Sequence, residues 1–431
     1  MPLGDLINGS KVIANLRKWR QISKLSELEI ERLQKKNLME LLIHTTENIP
    51  YYRQYSKYKS DDPKEWIKNF PVMKKTDISV NINQLTSKPL NKLIKKQTSG
   101  SSGVQGTTYM DSGDISLNRA IQLLWWEWSG WKMGTPIIQT GMTAKRGTLK
   151  TIKDLVLRTK YYIAYGLSDR ESLGILKNTK ITDEHYIGGY ASSLYVLAKI
   201  AKNNKLSYVS FKGAISWGDK MFPHFRTEIR EAFGCEVNDT YGCSEGLMIA
   251  AQKDLDYYYI MTPHVYLELV DSQGNEVIDG EIGYVVATRL DARSMPLVRY
   301  YTGDLAIKLP RAKYPEKRDL QFPLLEKVVG RDTDIVSTRS GKYMIVHFFT
   351  GIFQYVPEIK QFRVIQTDLD SITIEYIPSE IFNYDVLKTI TEKIHQHLKE
   401  PFIINWLEVD SIPSTASGKP QLIKSFMENQ I

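Results

Sequence analysis

Cysteine is nearly absent from this chain: 431 residues contain two, Cys235 and Cys243. Two cannot make a disulfide framework or a four-cysteine zinc site, and a reducing compartment is the simplest reading. Long apolar runs are missing as well. No stretch approaches the roughly 20 apolar residues that span a bilayer, and Met1 to Leu16 lacks the uninterrupted apolar core of a secretory signal. A cytoplasmic protein without a transmembrane segment is therefore expected. The nearest approach to a span, Ile121 to Trp131, is broken by Gln122 and Glu127. Its four tryptophans, Trp125, Trp126, Trp128 and Trp131, would suit a membrane interface, but a packed core or a pocket wall accounts for them better. The seven histidines show no metal-ligand spacing, and His395 and His397 are read as solvated positions on a helix. Blocks of one charge are also lacking. The net charge of +8 is spread over short pairs such as Lys74-Lys75 and Lys95-Lys96. That excess suits a polyanionic ligand, a membrane surface or nucleic acid without choosing among them. No nucleic-acid recognition motif is present, so no such partner is expected. No repeat of solenoid type is visible.

What is present describes a globular chain: 42% hydrophobic and 25% charged residues, over a length that calls for two or more domains. Helical spacing of Leu28, Ile30, Leu33, Leu38, Leu41 and Leu42 predicts a helix from Leu25 to Tyr55, ended by Pro50. Asp61 to Pro71 reads as a polar connector. Leu93 to Gly106 reads as a strand entering a glycine loop, followed by an amphipathic helix from Leu117 to Trp128. Further on, a strand at Tyr208 to Phe211 is broken by Gly213. A helix at Met221 to Phe233 is closed by Gly234, and a strand opens at Glu236. That order predicts a βαβ unit in a parallel sheet. Val265 to Val270 and Gly283 to Thr288 read as an antiparallel pair around the turn Asp271 to Asn275, so the large domain is expected to be mixed. The charged segment Lys313 to Pro323 precedes the expected boundary. The large domain is set at 1–328, including an N-terminal helical segment at 1–60. A small α+β domain follows at 329–431, with strands at Phe362 to Gln366, Ile372 to Ile377 and Ile403 to Val409 and a helix at Val386 to Leu398.

Five fragments carry chemistry. Lys96 to Thr108 packs Thr98, Ser99, Gly100, Ser101, Ser102 and Gly103 behind two lysines. Glycines let backbone N–H groups converge on an anion, and hydroxyls add rotatable donors. A Ser/Gly run is equally the composition of a flexible linker. Asp239-Thr240-Tyr241-Gly242-Cys243-Ser244-Glu245-Gly246 lies at an expected strand end, where α/β sheets bind ligands. A tyrosine there offers a flat face to a ring, and a glutamate offers hard oxygens to Mg²⁺. In Pro296 to Leu305, Asp304 follows Thr302-Gly303 and can accept hydrogen bonds from vicinal hydroxyls. Val329 to Ile335 places Arg331 at the domain boundary, a composition suited to a hinge that also reaches a phosphate or sugar. Pro413 to Lys419 ends in a lysine on a Ser/Gly-rich loop. Each has a plain alternative as a turn, a linker or a surface residue.

Taken in order, these fragments resemble the adenylate-forming superfamily of acyl-CoA synthetases. The resemblance is strongest to the phenylacetate-CoA ligase family, on the branch associated with capsular-polysaccharide biosynthesis. Leu38 to Tyr52, Gly189 to Leu194 and Gln361 to Gln366 are similar to further segments of that family, and the likeness runs over about residues 30 to 425. It implies an α/β fold: a large mixed-sheet domain with helices on the sheets, and a small mobile lid domain. It also implies a ligase that uses ATP, with Mg²⁺, to convert a small carboxylic acid, aryl acids included, to an acyl-adenylate, which is then passed to coenzyme A. By position, Thr98 to Gly103 would hold the β- and γ-phosphates. Gly213 and Ala214 would flank adenine and Tyr241 would stack on it, with Gly242 and Ser244 completing the nucleotide site. Glu245 would meet the metal, Asp304 the ribose, and Arg331 the ribose or phosphate. Lys419 would bridge carboxylate and α-phosphate. Trp126, Tyr190, Ser192 and Gly246 would line the acid pocket.

Two positions depart from the family pattern. Val104 and Gln105 stand where a lysine and a proline are usual, and Thr333 replaces an acidic residue at the hinge. Cysteines that bind zinc in some relatives are missing after Glu245, so no zinc is expected. An amine or hydroxyl acceptor, for example on a sugar or glycan, remains the alternative to coenzyme A. A non-catalytic nucleotide-binding role in a surface-polysaccharide pathway is the third reading. Neither the acid nor the oligomeric state can be read, and a homodimer stays open.

Overall fold

The computed structural model describes residues 10–97, 107–141, 154–155, 157–163, 169–178, 182, 184–331, 335–339, 343–353, 356–413 and 422–426. The expected phosphate loop Thr98 to Gly103, the hinge residues Asp332 to Asp334, and Lys419 lie outside the described residues.

Two helices come first, α1 (Val12–Ile22) and α2 (Glu27–Asn48). A capping box starts α2: Glu29 N–H donates to the Ser26 hydroxyl, and Ser26 N–H donates to the Glu29 carboxylate at 2.8 Å. Pro50 does end the helical pattern, but it also opens a 3₁₀ segment, Pro50–Tyr58. The stretch expected as a connector contains helix α3 (Pro63–Ile67), with Trp66 and Ile67 buried and the Trp66 indole donating to Tyr55 O at 2.9 Å. Two large apolar side chains within a polar window decide the local structure, because each gains roughly 1.5–3 kcal/mol by leaving water. Helix α4 (Lys75–Asn81) follows.

Strands β1 (Ile94–Gln97) and β2 (Thr107–Met110) pair antiparallel. Helix α5 (Ser112–Trp128) begins earlier than its apolar spacing suggests, because Asp111 and Asp114 form a second capping box ahead of it. Trp125, Trp126 and Trp131 are core residues. The chain continues through β3 (Ile137–Gly141), β4 (Thr159–Ile163), α6 (Asp169–Asn178), β5 (Tyr186–Gly189), α7 (Ala191–Asn203), β6 (Gly213–Ser216) and α8 (Pro223–Phe233). Then come β7 (Val237–Cys243), β8 (Leu247–Ala251), β9 (Tyr258–Ile260), β10 (Val265–Val270), β11 (Ile282–Arg289), β12 (Tyr300–Lys308) and β13 (Leu324–Arg331). The strand expected at Tyr208 to Phe211 is turn and loop, with Tyr208 67% exposed. The strand starts at Gly213, the supposed breaker. Gly213 pairs with Tyr186 of β5, and a Cβ there would lie 2.8 Å from the Tyr186 ring, so close packing, not chain reversal, requires the glycine. Gly234 closes α8 in the left-handed conformation (φ 63°), as its position suggests.

These strands form an 11-stranded sheet in the order β10-β11-β12-β13-β9-β8-β7-β6-β5-β3-β4. The run from β7 through β6, β5 and β3 to β4 is parallel, and the run from β7 to β10 is antiparallel. Strand β7 is where the two halves meet. The expected βαβ unit is β6-α8-β7.

The C-terminal unit is α+β. It holds β14 (Ile335–Ser337), β15 (Tyr343–Ile345), α9 (Val346–Phe353), β16 (Ile359–Gln366), β17 (Ser371–Pro378), α10 (Asp385–Leu398), β18 (Ile403–Glu408) and β19 (Ile423–Ser425). Its main sheet runs β18-β17-β16-β19 around a separate core that includes Phe349, Phe353, Val364, Ile374 and Ile394. Strand β13 stays paired with β12 as far as Arg331, so the large sheet runs into the boundary motif.

Candidate active site

Three expected nucleotide residues meet where β7 leaves the parallel sheet. Tyr241 sits at a bulge in β7, Asp304 faces Arg331 across β12 and β13, and the three side chains form a chain. The Tyr241 hydroxyl donates to Asp304 Oδ2 at 2.9 Å, and Arg331 Nε lies 3.2 Å from Asp304 Oδ1. A carboxylate has about four acceptor positions, so Asp304 keeps capacity for two vicinal hydroxyls. Burial, and then the Asp304 charge, pushes the Tyr241 phenol well above its ordinary range, so it stays a donor. Part of the Tyr241 ring packs on the large core, Gly242 is exposed near the end of β7, and Ser244 is exposed on the turn beyond it.

Glu245 is buried at the β7–β8 turn and accepts from the Tyr300 hydroxyl at 2.7 Å. Lys75 Nζ stands 3.8 Å from the same carboxylate oxygen. Lys75 is a residue the motifs did not indicate. It arrives because Met73 bridges to Tyr300, with Tyr301 N–H donating to Met73 O at 2.9 Å. One signal was available: a lysine in the first turn of a helix opposes the macrodipole and needs another partner. Burial, and then Glu245, raises the Cys243 thiol well above its ordinary range, so the thiol is not a nucleophile here. For Mg²⁺, Glu245 supplies one carboxylate in a position that already attracts a cation. Mg²⁺ is commonly held by one or two carboxylates with phosphate oxygens, so the donor set fits. Among the described residues no group of three or more His, Cys, Asp or Glu could hold a metal by itself.

The β1–β2 pair that flanks the expected phosphate loop reaches this point: Thr108, Tyr109 and Met110 line one small cavity together with Glu245. On the other side, β5 and β6 end at Gly189 and Ser216, where open parallel sheets bind ligands. Two expectations need correction here. Gly213 and Ala214 begin β6, and Ala214 is packed in the core with Ile138, Ile187 and Val237. The residues at the carboxyl end of β6 are Ser216, Trp217, Gly218 and Asp219. Trp126, 2% exposed, is likewise core. It stacks on Trp217 at 5.8 Å, and Trp217 is the ring that lies over Gly188. Tyr190 packs against Gly218. Ser192 is engaged by Asp219, which accepts from Ala191 N–H at 2.5 Å and Ser192 N–H at 3.2 Å and so caps α7. Gly246 has φ 89° and sits where a Cβ would collide with Met110 at 2.4 Å, so only glycine fits.

Two further groups stand beside the site. Asp239, fully enclosed, accepts from Ser216 Oγ and from Tyr258 OH at 2.6 Å, and burial pushes its carboxyl up to about 6. Lys220 donates to Val329 O, next to Gly330 (φ 134°) in the strand that leads to the small unit.

Residues 334–426 match the CapK C-terminal domain family. The chain is 27% identical to Protein CapK of Staphylococcus aureus, over 96% of this chain and 92% of that protein. It is 26% identical to a phenylacetate-coenzyme A ligase of Aromatoleum evansii, over 74% of each. Among solved structures, a 2-hydroxyisobutyryl-CoA ligase in its postadenylation state superposes with a TM-score of 0.71 at 18% identity, covering 94% of this chain and 90% of that one.

Proposed function

We propose that this chain, which belongs to the adenylate-forming superfamily on its phenylacetate-CoA ligase and CapK branch, uses ATP to activate a small carboxylic acid and passes the acyl group to coenzyme A. The observation that carries this reading is the Tyr241–Asp304–Arg331 chain, set beside a buried Glu245 that already holds a lysine cation. In this reading Asp304 accepts both ribose hydroxyls while Arg331 neutralises it and reaches a phosphate. Tyr241 stacks on the base and fixes Asp304. The backbone amides of Thr98 to Gly103 hold the β- and γ-phosphates. Glu245 and the phosphates would hold Mg²⁺, which neutralises charge on the phosphate oxygens. Lys75 and Tyr300 keep the Glu245 carboxylate in place.

The acid's carboxylate oxygen attacks the α-phosphorus, the bond to the bridging oxygen breaks, and pyrophosphate leaves. Lys419 delivers its ammonium group between the two reacting anions, from a lid that spans about 329–431 in this proposal. The thiol of coenzyme A then attacks the acyl carbon and AMP leaves. Cytoplasmic placement, where both cosubstrates occur, and a step in capsular-polysaccharide assembly belong to the same proposal.

The test is an acid-library screen for pyrophosphate release, with and without coenzyme A. Lys419→Ala should lower adenylation by about 10²–10³-fold, the cost of losing one electrostatic contact to a transition state, and leave ATP affinity nearly intact. Undiminished pyrophosphate release in that variant removes the lysine's role. A product formed without coenzyme A replaces that acceptor by an amine or hydroxyl.

A further inference from the structure

Beside Gly246, between Glu245 and Leu247, lies a small cavity that nucleotide binding leaves unexplained. Its walls include Thr108 and Met110 of β2, Asp114 of α5, Glu245, Arg289 at the end of β11, and Met295. Two buried polar atoms here have no hydrogen-bond partner: Thr108 Oγ1 and Asn118 Oδ1. Asn118 lies behind the Met110 wall, its amide nitrogen 3.8 Å from Met110 Sδ. That nitrogen and Arg289 Nη1 each stand 3.0 Å from the point a Gly246 Cβ would occupy. Native proteins seldom leave such atoms unpaired, so a small group that both donates and accepts is called for.

The surrounding charges narrow its chemistry. Arg289 is already engaged, by Asp291 at 2.7 Å and Asp114 at 3.2 Å, and Asp291 is in turn held by His264 Nδ1 at 2.5 Å. One guanidinium set between two carboxylates presents no surplus positive charge, so a second carboxylate on the ligand has no counter-ion. A neutral hydroxyl has what is needed: its O–H can donate to Asn118 Oδ1 while its oxygen accepts from Thr108 Oγ1–H.

We propose that the acid activated at this site carries a hydroxyl group, recognised by Thr108 and Asn118 in the cavity beside Gly246. The inference rests on the adenylation reading above. The two residues act as specificity determinants, not as catalytic groups.

Acids differing by one hydroxyl, both aryl and straight-chain, are compared by pyrophosphate release, and their binding by thermal shift with a non-hydrolysable ATP analogue. The hydroxylated member of the productive pair should be favoured about 10²-fold in kcat/KM, because its absence leaves buried polar groups unpaired. Thr108→Val and Asn118→Leu should each bring that ratio to within about threefold of one, chiefly through KM, whereas Thr108→Ser should retain it. Melting curves establish that the variants fold, and the near-isosteric Thr108→Val serves if Asn118→Leu does not. Equal use of both members by the parent protein, or an unchanged ratio in the folded variants, overturns the inference and leaves a water as the occupant, with adenylation itself intact. Failure of every acid to release pyrophosphate overturns the adenylation reading instead, and this inference with it.

Discussion

Two arginine–carboxylate pairs set the large unit against the small one. Arg299 and Glu268 lie 3.0 Å apart with side chains 9% and 3% exposed, while Arg339 and Asp370 lie 2.5 Å apart at 71% and 53%. The shorter pair is the weaker contributor, because water screens it on all sides. The buried pair is there for position. Burial outweighs the attraction of Arg299 and leaves the Glu268 carboxyl above its ordinary range, so the pair adds little net stability. What it secures is geometry. Arg299 also donates to Phe70 O at 3.0 Å and Gly274 O at 3.2 Å, which ties α3's flank and the β10–β11 turn to the residue before Tyr300. Tyr300 holds Glu245, and Asp304 follows on the same strand. In the small unit the core is aromatic and aliphatic, with Phe353 stacked on Phe362 at 3.8 Å and the Arg339 pair outside it. One unit fixes charges in place; the other is built around an apolar core.

The comparison can be broken most directly at those pairs. Glu268→Ala should cost about 3–5 kcal/mol in urea unfolding, by stranding a buried guanidinium, whereas Asp370→Ala should leave the midpoint where it is. Similar shifts for both would show that burial is not what separates them. Next in size, Asp304→Ala should weaken ATP binding by about 2–3 kcal/mol, on the scale of charge-assisted hydrogen bonds, when titrated by calorimetry. Unaltered affinity would detach the Tyr241–Asp304–Arg331 chain from the nucleotide.

Asp239 predicts a pH effect. Its folded carboxyl titrates at about 6 against an ordinary 3.8, so the folded state holds the proton more tightly than the unfolded chain. Stability should therefore fall, by on the order of 2 kcal/mol, as pH rises from about 4 to about 6. Asp239→Asn should flatten that slope, and a slope that persists would assign it to other groups. The smallest effect is expected at the junction of the two units. Lys220→Met removes the donor to Val329 O and should shift the ratio of adenylation to thioester formation by about two- to fivefold, as hinge changes alter steps together. A ratio that does not move would leave Lys220 as a packing residue only.

Much of this arrangement was legible before folding. The order of motifs brought Tyr241, Asp304 and Arg331 into one reading, and the structure places them within hydrogen-bonding reach. The mixed sheet was readable because β10 and β11 flank a clear turn at Asp271 to Asn275, and the βαβ unit because Gly234 marks its helix end. What was not legible shares a cause. A glycine's reason for being small is not written beside Gly213; here it is the Tyr186 ring. For Trp126, sequence shows that a ring is buried but not which face of a layer it fills.

By itself the sequence determined which groups are available and in what order: a Ser/Gly-rich loop, a tyrosine and a glutamate close in sequence, an aspartate, a boundary arginine and a lysine near the C-terminus. Local rules settled most of the helices and strands that carry them. Only the tertiary structure decided that Lys75 stands against Glu245, that Arg289 is shared by two carboxylates, and that Thr108 and Asn118 carry buried oxygens without partners near a small cavity. Such contacts join residues far apart in the chain. Their energies depend on how completely water is excluded, a property of the packed whole that no short stretch of residues encodes.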